Sequence, residues 1–272
     1  MILTVAHVTT YRYDRPVRGA VQSLRLTPAA FEGQTARAWT VAVEGGVRGG
    51  AFRDGAGDWT EGWSVRGPVT EVSVRVTGEV ETRDLAGLLR GHRESVPPAA
   101  YLRETHPARA DAALADLARR AATRARDALD CAHRIMAEVA EAIAYRPGAT
   151  HAHTTAAEAL ALGEGVCQDH AHAVIAAARS LGMPARYVCG YLAPAEGGEE
   201  AQEAAHAWAE VWIDGLGWVG FDPANRSCPD ERYIRLGSGY DARDAAPIRG
   251  VAQGMSGGET LDVTVAVRSA QQ

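Results

Sequence analysis

The chain of 272 residues contains no lysine; all 28 of its basic residues are arginine. That absence excludes Schiff-base chemistry, a phosphate-loop lysine and a Ser-Lys dyad. It fits an arginine-biased genome and is not read as a functional device. Cysteine is scarce as well: Cys131, Cys167, Cys189 and Cys228 form no CxxC pair and are far too few for a disulfide scaffold. There is a single asparagine, Asn225. No apolar run approaches the length of a membrane-spanning helix. The N-terminal MILTVAHVTTYRYDRP alternates apolar and polar residues and lacks the continuous apolar segment of a signal peptide. The net charge is −6 and the arginines are spread out, so no basic face is expected to bind nucleic acid. These absences together lead us to expect a soluble protein in a reducing, cytoplasmic setting, with no membrane or nucleic-acid partner.

What is present is ordinary for a globular chain: 46% hydrophobic and 23% charged residues, in a length that suits one large domain or two modest ones. Residues 1–83 read as strands at Ile2–Tyr13, Val21–Leu26, Arg37–Val43, Gly62–Val65 and Val69–Thr82. Turn signals such as Asp14-Arg15-Pro16, Gly49-Gly50 and Asp54-Gly55 separate them. This predicts a β-sandwich-like first domain. Residues 84–110, containing Pro97-Pro98, read as a linker, and 111–272 as a second domain. There Asp111 to about Tyr145 is helical, with Leu129, Ile135, Met136, Val139 and Ile143 on one face, ended by Arg146-Pro147-Gly148. A short helix follows from Thr154, then GEGV and a helix from Cys167 stopped by Gly182. Strands are expected at Ala185–Leu192, His206–Ile213 and Trp218–Phe221, the last two joined by the turn Asp214–Gly217. LDVTVAVRS at 261–269 reads as a closing strand of this domain, and PAEGGEEAQEAA at 194–205 is an acidic tract. The fold class is therefore α+β.

Cys167 opens a helix directly after a glycine-containing turn. A helix start presents free N–H groups and the positive end of the dipole, which favour a thiolate and an oxyanion beside it. A lone cysteine in a tight turn is more often structural, so partners have to decide. A thiolate nucleophile needs an imidazole, and the imidazole needs an acceptor that fixes its tautomer. His206 begins one strand and Asp222 ends the next. Antiparallel pairing through the 214–217 turn brings those two ends together. Asn225 is the only candidate for a Cys-His-Asn variant, and Asp222 is the better placed. A metal site from Cys167, His170 and His172 is disfavoured because His172 points away from the other two on a helix; His151 and His153 form a pair too easily met by chance. No metal or cofactor is expected.

GEGVCQDHAHAVIAAARSLGMPARYVCGYL followed by AHAWAEVWIDGLGWVGFDPAN closely resembles the core of bacterial transglutaminase-like proteins. HVTTYRYDRPVRGAVQSLRLTP resembles the β-rich domain that precedes it in them, and DERYIRLGSGYDARDAAPIRGVAQG resembles their tail. The resemblance implies a papain-like core with Cys167, His206 and Asp222 as the catalytic triad. His170 departs from it, since an aromatic is expected there. Candidate supports are Gln168, Asp169 and His172 for local hydrogen bonds, Trp208 flanking the cleft, and Tyr145 or Tyr191 as a hydroxyl for the oxyanion. The implied chemistry is acyl transfer from a peptide or isopeptide amide through a thioester, with hydrolysis favoured. The alternatives are a transglutaminase, where an amine resolves the thioester, and a non-catalytic protein-binding module on the same fold.

Overall fold

The computed structural model describes residues 1–194 and 205–269; most of the acidic tract lies outside them. Over the described residues the fold is α+β, with two large antiparallel sheets and a group of four α-helices on the second.

The strand-rich first module contains β1 (Ile2–Leu24), β2 (Gln34–Val43), β3 (Gly46–Arg53) and β4 (Trp59–Thr82). These strands belong to one continuous six-stranded sheet, completed by two strands from the end of the described chain. β1 and β4 pair along their whole length and carry on through a bend, where the register slips between Arg12 and Gly19. A bulge of this kind bends strands without ending them. The short strands read from the sequence therefore merge into long ones, and the expected turn at Gly49-Gly50 lies within β3.

The second module contains α1 (Ala112–Arg124), α2 (Ala128–Ala142), β5 (Ala144–Tyr145), α3 (Ala156–Leu162), β6 (Glu164–Gly165) and α4 (Cys167–Ser180). The strands β7 (Ala185–Leu192), β8 (Ala205–Ile213), β9 (Gly217–Phe221) and β10 (Tyr233–Gly239) follow, and β11 (Ile248–Gln253) and β12 (Glu259–Ser269) end the described chain. The helix expected over 111–145 is two helices. The Asp111 and Asp127 carboxylates cap them, accepting from Leu114 N–H and Asp130 N–H. β12 does not close the core sheet. It pairs with β1 from Leu3↔Ser269 to Tyr13↔Glu259, and β11 pairs with the other half of β1. The last strands thus return to the first module.

α4 is buried on nearly every side from Asp169 to Arg179. Its alanines at 171, 173, 176, 177 and 178 meet Ala207, Ala209 and Val211 of β8 in one apolar cluster. Small residues on both surfaces let helix and strand approach closely, which fixes the start of α4 against the start of β8. A second cluster joins Leu3, Val5, Val74 and Val76 of the first sheet to Tyr191, Ile234 and Leu236 of the second.

Between the modules lies a buried ionic hub. Glu210 accepts from Arg186 and Arg235, Arg235 also donates to Asp58 from the β3–β4 turn, and Arg186 also donates to Glu94. Residues 84–110 are not an open connection. Leu89 N–H donates to Trp218 O and Gly220 N–H to Gly87 O, so this segment extends the β9 edge, and Tyr101 is buried.

Candidate active site

α3 ends at Gly163, whose φ of 73° is the left-handed conformation that favours glycine. Two residues on, a Cβ on Gly165 would stand 2.9 Å from Asp169 Cβ, so this position has no room for a side chain. The space is taken because Asp169 folds back over the start of α4. Its Oδ2 accepts from Val166 N–H at 2.8 Å and from the Thr150 hydroxyl at 2.6 Å. An acidic side chain bonding back to the N-cap N–H satisfies one orphan donor of the helix start. Cys167 follows as the first helical residue, half-buried, its N–H among the first-turn groups that lack an intrahelical acceptor. Gln168 Nε2 donates to Ala152 O at 3.3 Å, tying the 146–155 loop to the same turn.

The β8–β9 hairpin closes as the sequence predicted, with Ala209↔Phe221 and Ile213↔Gly217 in register. His206 Nε2 lies 2.6 Å from Asp222 Oδ2, and Cys167 stands beside the His206 ring. With Nε2 committed to Asp222, Nδ1 is the nitrogen left to face the sulfur. The structure therefore brings Cys167, His206 and Asp222 together. Asp222 is fully buried and held by five donors. Oδ2 accepts from His206, from Asn225 Nδ2 at 2.7 Å and from the Tyr233 hydroxyl at 2.8 Å. Oδ1 accepts from the backbone N–H of Ala224 at 3.0 Å and of Asn225 at 3.4 Å.

These contacts set the charges. Burial works against a charged His206, but the hydrogen bonds to Asp222 and Cys167 and the charges of both outweigh it, raising His206 to about 9. Burial likewise works against an ionised Asp222. The hydrogen bond and charge of His206, with Asn225 and Tyr233, hold its carboxyl below the usual range. His206 and Asp222 thus form an imidazolium–carboxylate pair at neutral pH.

The remaining candidates have separate places. Trp208 stacks near His206 with ring centroids 6.4 Å apart, flanking the site as read from the sequence. Tyr191 is buried in the junction of the two sheets, its hydroxyl 2.7 Å from His7 Nδ1; an oxyanion at Cys167 does not find it there. Tyr145 lies in β5, alongside β6, with its ring 6.2 Å from that of His170. His170 places its two ring nitrogens 2.9 Å from Val166 O and 2.8 Å from Ile143 O, bracing the helix start against the end of α2. His172 accepts from Ala242 N–H and so steadies the 240–245 loop, not the turn at Cys167. Sequence reasoning missed Thr150 and Tyr233 and weighed Asn225 only as a substitute for Asp222. Nothing in the local pattern of Tyr233 marks it, because β10 is buried on both faces and shows no alternation.

The site thus lines up a half-buried cysteine at a helix start, an imidazole and a buried carboxylate. Residues 115–223 match the transglutaminase-like superfamily, and residues 3–81 match the bacterial transglutaminase-like N-terminal region. An uncharacterized protein of Mycobacterium leprae is 31% identical over 97% of this chain and 98% of its own length. The chain belongs to the transglutaminase-like superfamily. An uncharacterized protein of Mycobacterium tuberculosis is 42% identical over 45% of this chain and 42% of its own length. A shorter stretch, 24% of this chain, is 36% identical to 11% of a protein-glutamine gamma-glutamyltransferase of Pseudomonas aeruginosa. Among solved structures, a Cytophaga hutchinsonii protein provisionally named a cysteine protease shares the fold. It superposes over 100% of this chain and 91% of its own, with a TM-score of 0.76 at 21% identity.

Proposed function

We propose that this protein is a cysteine-dependent acyl-transfer enzyme acting on peptide or isopeptide amides, with Cys167, His206 and Asp222 as its catalytic triad and hydrolysis as its outcome. The observation that carries the reading is the His206 ring, held at 2.6 Å by buried Asp222 on one side and facing Cys167 on the other. The Cys167 sulfur, its proton passed to His206, attacks the amide carbonyl carbon while first-turn N–H groups of α4 stabilise the developing oxyanion. The proton on His206 passes to the departing amine as the C–N bond breaks, leaving a thioester on Cys167. His206, now neutral, takes a proton from water as the water oxygen attacks the thioester; the C–S bond breaks, the acid leaves, and the Cys167 thiolate is left beside protonated His206. Asp222 holds the ring in the tautomer and orientation these transfers need. The four free cysteines support a reducing, cytoplasmic location as part of the same proposal. A second reading, in which an amine and not water takes the acyl group, draws on the local likeness to the glutamyltransferase.

The first test is alkylation of the folded protein by iodoacetamide near neutral pH. Cys167 is expected to react well ahead of Cys189 and Cys228, whose thiols burial pushes up to about 12 and about 11. Equal rates would refute the activated nucleophile. A glutamine peptide with and without a primary amine then separates the outcomes. Ammonia release unaffected by the amine supports hydrolysis, and incorporation of the amine supports the second reading.

A further inference from the structure

Tyr233 lies outside the three residues just assigned, yet it touches two of them. It comes from β10, the strand that pairs with β7 from Tyr233↔Leu192 onward, and so reaches the site from the far side of the sheet from β9. Its hydroxyl donates to Asp222 Oδ2 at 2.8 Å, the same oxygen that receives His206 Nε2. Its ring stands edge-on to Trp208, with centroids 5.5 Å apart, and 5.9 Å from His206 at 62°. Tyr233 is 5% exposed and Asp222 is not exposed at all, so water does not compete freely for that oxygen. Burial and the charge of Asp222 both push the Tyr233 phenol far above its ordinary range. At any working pH it is therefore a donor.

We propose that Tyr233 is a positioning residue of this site, fixing Asp222 Oδ2 under the His206 ring and drawing off part of the carboxylate charge that His206 feels. The inference rests on the triad reading for its place in the reaction. Its physical content, a hydroxyl acting on His206 through Asp222, stands apart from that reading. The ionisable groups facing His206 are Asp222 from the end of β9 and Cys167 from α4. Those facing Tyr233 are His206, Asp222, Asp230 and Arg232, the last two paired with each other. Among these, Asp222 is the carboxylate hydrogen-bonded to both side chains. A donor removed from an anionic acceptor leaves its charge more concentrated on the remaining bond. Removing the Tyr233 hydroxyl should strengthen the hold of Asp222 on the His206 proton and move the ring out of its best orientation.

The experiment is an NMR titration of the His206 imidazole in a Cys167→Ala background, which removes the thiol from the coupling, with and without Tyr233→Phe. Phenylalanine keeps the ring contacts and deletes only the hydroxyl. The expected result is an upward displacement of the His206 titration by about half a pH unit, roughly threefold in its proton-binding constant. Asn225→Ala, which removes the other side-chain donor to Oδ2 from a more exposed position, should move it the same way and serves if Tyr233→Phe folds poorly. A His206 titration unchanged or lowered in folded Tyr233→Phe, or in Asn225→Ala where that chain folds poorly, would overturn the proposal. Alkylation of Cys167 against pH, in chains that retain the cysteine, separates the two claims. If the titration moves but Cys167 is no more reactive than Cys228, Tyr233 keeps its role and the catalytic reading fails. If Cys167 is reactive and the titration does not move, only the role of Tyr233 fails.

Discussion

Replacing Glu210 by Gln keeps the side-chain shape in the buried hub and removes one charge. Glu210 accepts from Arg186 Nε at 2.6 Å and from Arg235 Nε at 2.9 Å, and is 3% exposed. Arg186 has no exposed surface; its guanidinium carbon lies 4.0 Å from the centroid of the Trp218 ring and 5.4 Å from that of Tyr101. A glutamine amide keeps one acceptor but turns N–H groups toward a guanidinium that only donates. Burial works against an ionised Glu210, but the charges and hydrogen bonds of Arg235 and Arg186 outweigh it, holding its pKa at about 2 against an ordinary 4.5. A drop of that size corresponds to about 3 kcal/mol of stability at neutral pH. Loss of one partner from a buried pair costs about 3–5 kcal/mol on general grounds, which agrees. At about 2–4 °C per kcal/mol for a chain of this length, Glu210→Gln should lower Tm by roughly 6–12 °C. The folded pKa lies below the unfolded one. The stabilisation is therefore complete above pH 4.5 and is lost as the pH falls toward 2. Urea unfolding followed by tryptophan fluorescence, at neutral pH and at steps down through that window, measures the gap between variant and parent. A gap under about 1 kcal/mol at neutral pH, or one that does not narrow on acidification, would refute a charge-based hub.

Asp222→Asn should lower kcat/KM on the best amide substrate by roughly 10³- to 10⁴-fold, because an amide N–H facing His206 favours the wrong tautomer. The same variant should bring the His206 titration down from about 9; a loss under tenfold with the titration unmoved would contradict the assignment. Asp169→Ala leaves Val166 N–H and the Thr150 hydroxyl without their acceptor, and should cost about 1–3 kcal/mol in unfolding experiments while slowing Cys167 alkylation. Burial lowers His7 and His172 to about 4 from 6.5, so their folded values lie below the unfolded ones. The stability each group supports is present above pH 6.5 and is lost as the pH falls toward 4, by up to about 3 kcal/mol apiece. His172→Gln, which keeps an acceptor for Ala242 N–H, should flatten that acid slope in a pH series of thermal melts, and an unchanged slope would assign it to other groups.

The sequence by itself determined those features whose cause is local. A glycine turn running into an alanine-rich helix puts Cys167 at a helix start, because φ at Gly163 and the space at Gly165 are decided within a few residues. The Asp214–Gly217 turn sets the register of β8 against β9, and that register alone brings His206 to Asp222. Contacts between residues distant in the chain were decided only by the tertiary structure. Tyr233 reaches Asp222 because β10 pairs with β7, and no pattern in YIRLGSG announces that when both faces of the strand are buried. Tyr191, on the next strand over from His206, was drawn to His7 by the packing of the first sheet on the second. The closing strand joined β1 because an edge 23 residues long offered unpaired backbone groups to both β11 and β12. Backbone conformation and hairpin register depend on neighbours in sequence, which a reader of the chain can see. Which sheet edge a strand meets, and which carboxylate a buried hydroxyl finds, depends on how whole modules pack, and that exists only once the chain is folded.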